Sequence, residues 1–411
     1  MRRVAIGLAL VALAASTARP NSQADVDAAA RYATRGLGPV VRFLASDRVK
    51  GRDNDTAESY KARRKLLKTL RWLGDPINPG AENLEAFSQH FTLAGVTGTN
   101  LLAVMRGREL PDEYVIVGGH YDHLDTRSNA AGACSTSRQP GGAVCNGATD
   151  NAAGTAVVLA VGRALKHLPL RPRRSVVFAL WDAEEDGLVG SRYYVINPLV
   201  PLAQTRAYVN LDIQGSDLLP TLAGTSFAVG AETGGATLGD IVQAAVQAES
   251  FGTLPVSYIF GQLRSDYANF VGRGSIPTVF FSDSTNGCYH TIRDDIDVVD
   301  WAKLAIQSRI AFRTVVALAE TATSPTFVPP NPALAAYEDS LSLQQVFQRA
   351  QADLPLFPPA DQQVIVATGD TIDQIVLDGP AAFDPDDVVV LLNAALDGIA
   401  AIQRLGCLKP Q

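Results

Sequence analysis

The chain has 411 residues, 47% of them hydrophobic and 19% charged, with a formal net charge of −7. That length and apolar content support one large core plus an appendage. No long run of Lys or Arg occurs, which excludes a nucleic-acid or anionic-membrane surface and leaves an ordinary acidic, solvated exterior.

The chain opens on Arg2 and Arg3 and an apolar run over 4–15, the form of an export signal. Ser16 and Ala18, or Ser22 and Ala24, supply the small residues of a cleavage site. The run is shorter than the roughly 20 apolar residues of a membrane span. The expectation is a leader over 1–24, a secreted or periplasmic product and no stable membrane insertion.

Near-helical spacing follows over 28–44, and a second helix is expected over 56–73. The second carries Lys61, Arg63, Arg64, Lys65 and Lys68 on one side, read as a solvated face. Gly and Pro residues make 74–80 a turn. From residue 98 strands and helices alternate. Strands are expected at 100–105, 114–119, 175–181, 207–212, 226–230 and 276–281, and helices at 152–167, 187–196, 238–250 and 301–322. Such alternation predicts an α/β fold: a three-layer, doubly wound, mostly parallel central sheet flanked by helices. A Pro-rich linker at 324–332 leads to a helical C-terminal appendage, with helices at 333–352 and 385–405 around an acidic, Pro-containing segment. The domains are therefore 25–323 and the linker with appendage, 324–411.

None of the four cysteines forms a CxxC pair. In an exported chain Cys134 and Cys145 are expected to bridge, closing their loop for about 3 kcal/mol. Cys288 and Cys407 could form a second bridge, and the pairing stays open.

Six side chains carry the chemistry: His120, Asp150, Glu184, Glu185, Asp212 and His290. Most of them end a predicted strand or open the turn after it, where an open α/β sheet gathers its ligands. Imidazole and carboxylate without thiolate suit catalytic zinc, and Co2+ or Mn2+ could fill the same ligands. A carboxylate can bridge two cations, and a second must stay free to take a proton from water. Asp122 is placed to hold the His120 ring. His90, His123 and His167 are read as structural, although His123 lies close enough to line the site.

The phrases GGHYDHL (118–124), NGATDNAAG (146–154), AEEDGLVGS (183–191), NLD (210–212) and YHTIRDD (289–295) resemble the M28 family of co-catalytic zinc aminopeptidases and carboxypeptidases. The likeness runs over about 30–322 and includes FLASDRVKGR at 43–52. The resemblance implies two Zn2+ ions. His120 and Asp212 would bind one, Glu185 and His290 the other, and Asp150 would bridge them. It implies Asp122 as the residue orienting His120, Glu184 as general base, and Tyr289 and Asp266 on the substrate side. Thr149 and Ala153 depart from the family pattern, at positions that are not ligands. The implied function is an exopeptidase acting on peptides, foremost an aminopeptidase. A carboxypeptidase or dipeptidase would need Arg264 or Arg293 to hold a carboxylate. A glutaminyl-cyclase-like enzyme would use a similar ligand set with one metal.

Overall fold

The computed structural model describes residues 21–78, 80–127, 133–135, 142–331 and 335–410. The leader lies almost wholly outside them. Residues 21–24, which the sequence reading assigns to the leader, join the fold: Asn21 donates to the Leu170 carbonyl and to Glu320, both at 3.0 Å. Ser22 then caps helix α1 (Gln23–Ala30), accepting from Asp25 N–H.

The helix expected over 28–44 is broken in two. Gly36 sits at φ +83°, a left-handed turn that favours glycine, and α2 (Leu37–Leu44) starts after it. Helix α3 (Ala57–Leu73) is capped by Thr56, whose hydroxyl accepts from Ser59 N–H. It buries Ala62, Leu66, Leu70 and Leu73 at helical spacing and leaves Lys61, Arg64, Lys65 and Lys68 exposed, as expected of a solvated basic face.

Eleven strands occur among the described residues: β1 (Asp75–Pro76), β2 (Ser88–Leu93), β3 (Val96–Met105), β4 (Leu110–His120), β5 (Thr126–Arg127), β6 (Cys134–Ser135), β7 (Arg174–Trp181), β8 (Thr205–Leu211), β9 (Thr225–Val229), β10 (Gly252–Val256) and β11 (Thr278–Ser282). Strands β5 and β6 form a small hairpin, and the others form one sheet in the order β1-β3-β7-β4-β8-β11-β9-β10, with β2 also on β3. The four central strands β7, β4, β8 and β11 run parallel, while β3 and β9 flank them antiparallel. The parallel core is as predicted, and the sheet as a whole is mixed.

Helices α4 (Gly154–Leu165), α5 (Val189–Ile196), α6 (Gly235–Glu249), α7 (Tyr267–Gly272) and α8 (Trp301–Glu320) cover both faces. Alternate residues of the central strands feed different cores. Val115, Val117, Phe178 and Val209 pack with α2, α4 and α8. Ile116, Val177, Trp181 and Tyr208 pack with Tyr194 of α5 and Phe270 of α7. Both faces being covered explains the unbroken apolar run of β7, which is buried at every position.

Helices α9 (Tyr337–Ala350), α10 (Pro359–Asp378) and α11 (Pro385–Arg404) form the C-terminal appendage. Its middle helix falls in the segment read as acidic and Pro-containing, and its Val364, Ile365, Val366, Ile372 and Ile375 have an intrinsic preference for strand. Packing overrides that preference: Ile365, Ile372 and Ile375 join a core with Leu343, Phe347 and Leu391. The same core takes Leu218, Leu219 and Leu222 from the segment after β8, so the appendage is seated on the sheet domain. Asp339 accepts from Ser257 N–H at 2.7 Å and from its hydroxyl at 2.6 Å.

The expected disulfide Cys134–Cys145 is present, and the pairing left open resolves as a second one, Cys288–Cys407. The second joins residues 119 apart and ties the end of the appendage to the loop that carries His290. Closing so long a loop restrains the unfolded chain by about 5 kcal/mol in the chain-entropy account. Cys407→Ser is therefore expected to lower the thermal midpoint and to make the appendage the first region cut in limited proteolysis. An unchanged midpoint and cleavage pattern would show that the bridge contributes nothing.

Candidate active site

The parallel strands deliver the predicted residues to one rim. His120 is the last residue of β4, Asp212 follows β8, and Glu184 and Glu185 lie on the turn after β7. Asp150 precedes α4, and His290 stands on the loop after β11. Local backbone is bent to bring them there. Ala183, Ile213 and His290 all have φ between 52° and 54°, left-handed values that non-glycine residues seldom adopt. Such strain persists only where the surroundings enforce it, and it concentrates at functional sites. Gly147 (φ +56°) has no room for a side chain, since a Cβ would come within 2.2 Å of the Asp150 carbonyl oxygen and 2.4 Å of the His123 ring.

Asp150 lies between two imidazoles. His120 Nε2 is 3.3 Å from its Oδ1, and His290 Nε2 is 3.2 Å from its Oδ2. The same His120 nitrogen is 3.2 Å from Asp212, and the same His290 nitrogen is 3.0 Å from Glu185. Asp150 Oδ2 and His290 Nε2 nevertheless lack a hydrogen-bond partner, although both atoms are buried. Donor atoms that converge without aligned hydrogen bonds suit a shared cation. Tetrahedral ligands about 2.0 Å from zinc stand about 3.3 Å from one another. Charge points the same way. Asp122, Asp150, Glu184, Glu185, Asp212 and Asp266 face His120, His123, His290 and one guanidinium, that of Arg52. His120, Asp150 and Asp212 form one group able to hold a metal ion, and His120 with Glu184 and Glu185, and His123 with Asp150 and Glu185, form others.

The two adjacent glutamates differ sharply. Glu185 lies 2.7 Å from His123 Nδ1 and 3.0 Å from His290 Nε2. Burial and Asp150 push its pKa up, but the two imidazoles carry it down to about 2. Glu184 comes no closer than 4.0 Å to His120 and lines the cavity described below. Burial, with the charges of Asp212, Glu185 and Asp266, raises its carboxyl well above the usual range against the pull of His120.

Asp122 lies beside His120, its Oδ1 3.5 Å from Nδ1, and its Oδ2 accepts from Glu185 N–H at 3.2 Å. Tyr289 stacks on His290 with ring centres 3.8 Å apart and lines the cavity. Asp266 is fully buried at the start of α7, with both oxygens unpartnered and burial raising its pKa to about 7. It lies outside the cavity lining, behind the other carboxylates.

Three residues that sequence reasoning left without a role belong to this centre. His123 supports Glu185, a place signalled only by its being the fourth residue of HYDH. Asp294, from YHTIRDD, accepts from the N–H groups of Thr149 and Asp150 at 2.9 and 3.0 Å, fixing the backbone of the central carboxylate. Arg52, the last residue of FLASDRVKGR, is fully buried and donates to the carbonyls of Leu44, Tyr121, Asn146, Gly147 and Asp150 at 2.6–3.4 Å. Burial lowers its pKa to about 10, offset by the charges of Asp150, Asp122, Asp294 and Glu185, so it stays charged at neutral pH.

An apolar cavity of about 140 Å³, open to solvent, begins at Asp150, Glu184 and Asp212. It passes Tyr289 and Phe260 and reaches between the helices of the appendage.

The sequence pattern of Peptidase family M28 matches residues 100–315, more than half of the chain and the stretch that holds every predicted site residue. Aminopeptidase NAALADL1 of Mus musculus is 37% identical over 131 residues, 31% of this chain and 15% of that protein. A Glutamate carboxypeptidase 2 homolog of Caenorhabditis briggsae is 34% identical over 160 residues, 36% of this chain and 18% of that one. The matched stretch thus spans less than a fifth of either relative. The crystal structure of Legionella pneumophila LapA aminopeptidase superposes with a TM-score of 0.56 at 16% identity, over 79% of this chain and 81% of that one, and shows the same fold. Sheet, rim and motif agree, and the chain belongs to Peptidase family M28.

Proposed function

We propose that the chain is a zinc-dependent exopeptidase, foremost an aminopeptidase, that acts on peptides and holds two cations. His120 and Asp212 would hold one, Glu185 and His290 the other, and Asp150 would reach both. The carrying observation is the contrast between the two neighbouring glutamates. Environments that drive paired carboxyls apart assign their separate roles. Glu185, clasped by His123 and His290, is built to stay ionised as a ligand. Glu184, facing the cavity with a raised pKa, is built to take and return a proton.

Divalent cations supply Lewis acidity for the scissile carbonyl and make water more acidic. Glu184 then accepts the proton of the attacking water and passes it to the leaving amine. Asp122, with its carbonyl oxygen 3.2 Å from His120 Nδ1 and its carboxylate alongside, keeps the His120 ring turned to its ligand position, and Tyr289 flanks the reacting carbonyl from the cavity wall. The 37% identity to Aminopeptidase NAALADL1 over 131 residues favours the aminopeptidase reading. Arg264 also borders the cavity and favours a second reading, a carboxypeptidase whose substrate carboxylate it would hold.

The expected result is two equivalents of zinc by elemental analysis, activity lost on chelation and recovered on adding Zn2+. Leucine p-nitroanilide is expected to be cleaved and its N-acetyl form left intact. Full activity in metal-free protein would sink the metal reading. Cleavage of N-blocked peptides from the carboxyl end would transfer the assignment to the carboxypeptidase. We also propose export, with the cut before Asn21, because residues 21–24 are engaged by the fold. Among the described residues no helix is long and apolar enough to cross a membrane. N-terminal sequencing of the protein recovered outside the cytoplasm checks this.

A further inference from the structure

The cavity extends beyond the part of the chain that matches the family. Its inner wall is made by Leu343 and Phe347 of α9, Ile365 of α10 and Ala395, Ile399 and Ile402 of α11. All lie after residue 315, where the family match ends. The opposite wall comes from Leu218, Leu219 and Leu222, and the mouth is the carboxylate rim itself. One continuous space therefore joins the reacting centre to the interior of the appendage. At about 140 Å³ it is close to the size of an apolar cavity that takes up a benzene-sized group, room for a slender apolar substituent beyond the rim.

The lining also discriminates between occupants of that size. Every polar lining residue, from Gln262 and Arg264 to Ser282, Ser284, Thr285 and Tyr289, belongs to the sheet domain. The appendage contributes only aliphatic and aromatic side chains and glycine, on helices whose backbone groups are bonded within each helix. A second peptide unit pushed into that end would leave its N–H and C=O unpaired, which costs several kcal/mol. A plain hydrocarbon chain has no such groups and is favoured by every methylene it buries.

We propose that α9–α11 form a binding site for a long unbranched alkyl chain carried on the carbonyl side of the scissile amide. The chemistry is shared by two sources, a fatty acyl amide and an amino acid with a long alkyl side chain. The proposal rests on the peptidase reading only for where the chain is attached; the apolar site itself does not.

The test is calorimetric and needs no turnover. Two series of probes, the straight-chain carboxylates from hexanoate to dodecanoate and the 2-aminoalkanoic acids of the same lengths, are titrated into the full-length protein, zinc-loaded and zinc-stripped. Affinity is expected to rise about fourfold per added methylene, equivalent to ~0.8 kcal/mol, in both metal states. The series with the tighter absolute affinity identifies the source. Ala395→Trp, which fills the inner end, is expected to abolish the gain beyond hexanoate. Equal affinity for hexanoate and dodecanoate in the wild-type protein would overturn the proposal whether or not the variant folds. So would a gain per methylene that survives in folded Ala395→Trp. Chain-length-dependent binding without peptide hydrolysis would overturn the peptidase reading alone, and hydrolysis without that dependence would overturn the alkyl site alone.

Discussion

Glu184→Gln is expected to lower kcat by about a thousandfold while leaving zinc content and folding intact, since general acid–base catalysis contributes roughly 10²–10⁴-fold. The substitution keeps size and hydrogen-bonding capacity and removes only the ability to exchange a proton. It is close to harmless structurally because, among the described residues, Glu184 makes no ion pair shorter than 4.0 Å. The parallel change Glu185→Gln should behave differently. It weakens a carboxylate held between His123 and His290, so metal content should fall together with activity. Elemental analysis beside steady-state kinetics on both variants checks the assignment. If Glu184→Gln lost metal and Glu185→Gln kept it, the two roles would have to be exchanged.

Arg52→Met is expected to cost about 4 kcal/mol of stability, because it strips the counter-charge from a buried anionic site. Arg52 reaches five carbonyls on three separate stretches of chain: the end of α2, the residue after His120 and the loop that presents Asp150. Methionine fills similar volume but donates to none of them, and each carbonyl left unpaired carries a desolvation penalty. The thermal midpoint should fall by about 10 °C. Zinc affinity should fall with it, since the loop at 146–150 loses its anchor. Arg52→Lys keeps the charge but cannot reproduce the planar fork, so it should recover part of the stability and less of the metal affinity. Urea unfolding and metal titration of the two variants decide the matter. An Arg52→Met protein as stable as wild type would show that the surrounding backbone holds itself.

Much of this centre was legible in the sequence because its residues sit where periodicity is strongest. Runs such as Val115–Val117 and Val176–Leu180 mark buried parallel strands, and the polar residue ending each run falls on the functional rim. His120 and Asp212 could therefore be placed from pattern alone. Arg52 and Asp294 could not be given roles, because theirs are set by backbone groups distant in sequence, up to 145 residues away. His123, read as structural though close enough to line the site, could not be given its contact with Glu185 for a related reason. A histidine beside a ligand motif looks the same in sequence whether it packs or supports a carboxylate, and only the position of Glu185 separates the two. Helix α10 lay in a segment read only as acidic and Pro-containing, and the split at Gly36 was hidden by apolar spacing that continues across the turn. The share of the appendage in the cavity was invisible too, because it depends on how Leu218, Leu219 and Leu222 meet α9 and α11.

The Cys288–Cys407 bridge gives the molecule an order of completion. The residues proposed to hold the cations and move the proton lie within 120–290, and with Arg52 before them and Asp294 just after them the set is complete once residue 294 has been synthesised. The inner wall of the cavity, from Leu343 to Ile402, is made only afterwards, and the bond that fastens it closes two residues from His290 only after Cys407 has been made and oxidised. The two parts are thus separated in time along one chain: a freshly made molecule has its rim of carboxylates and imidazoles before it has the far wall of the cavity that opens beside them.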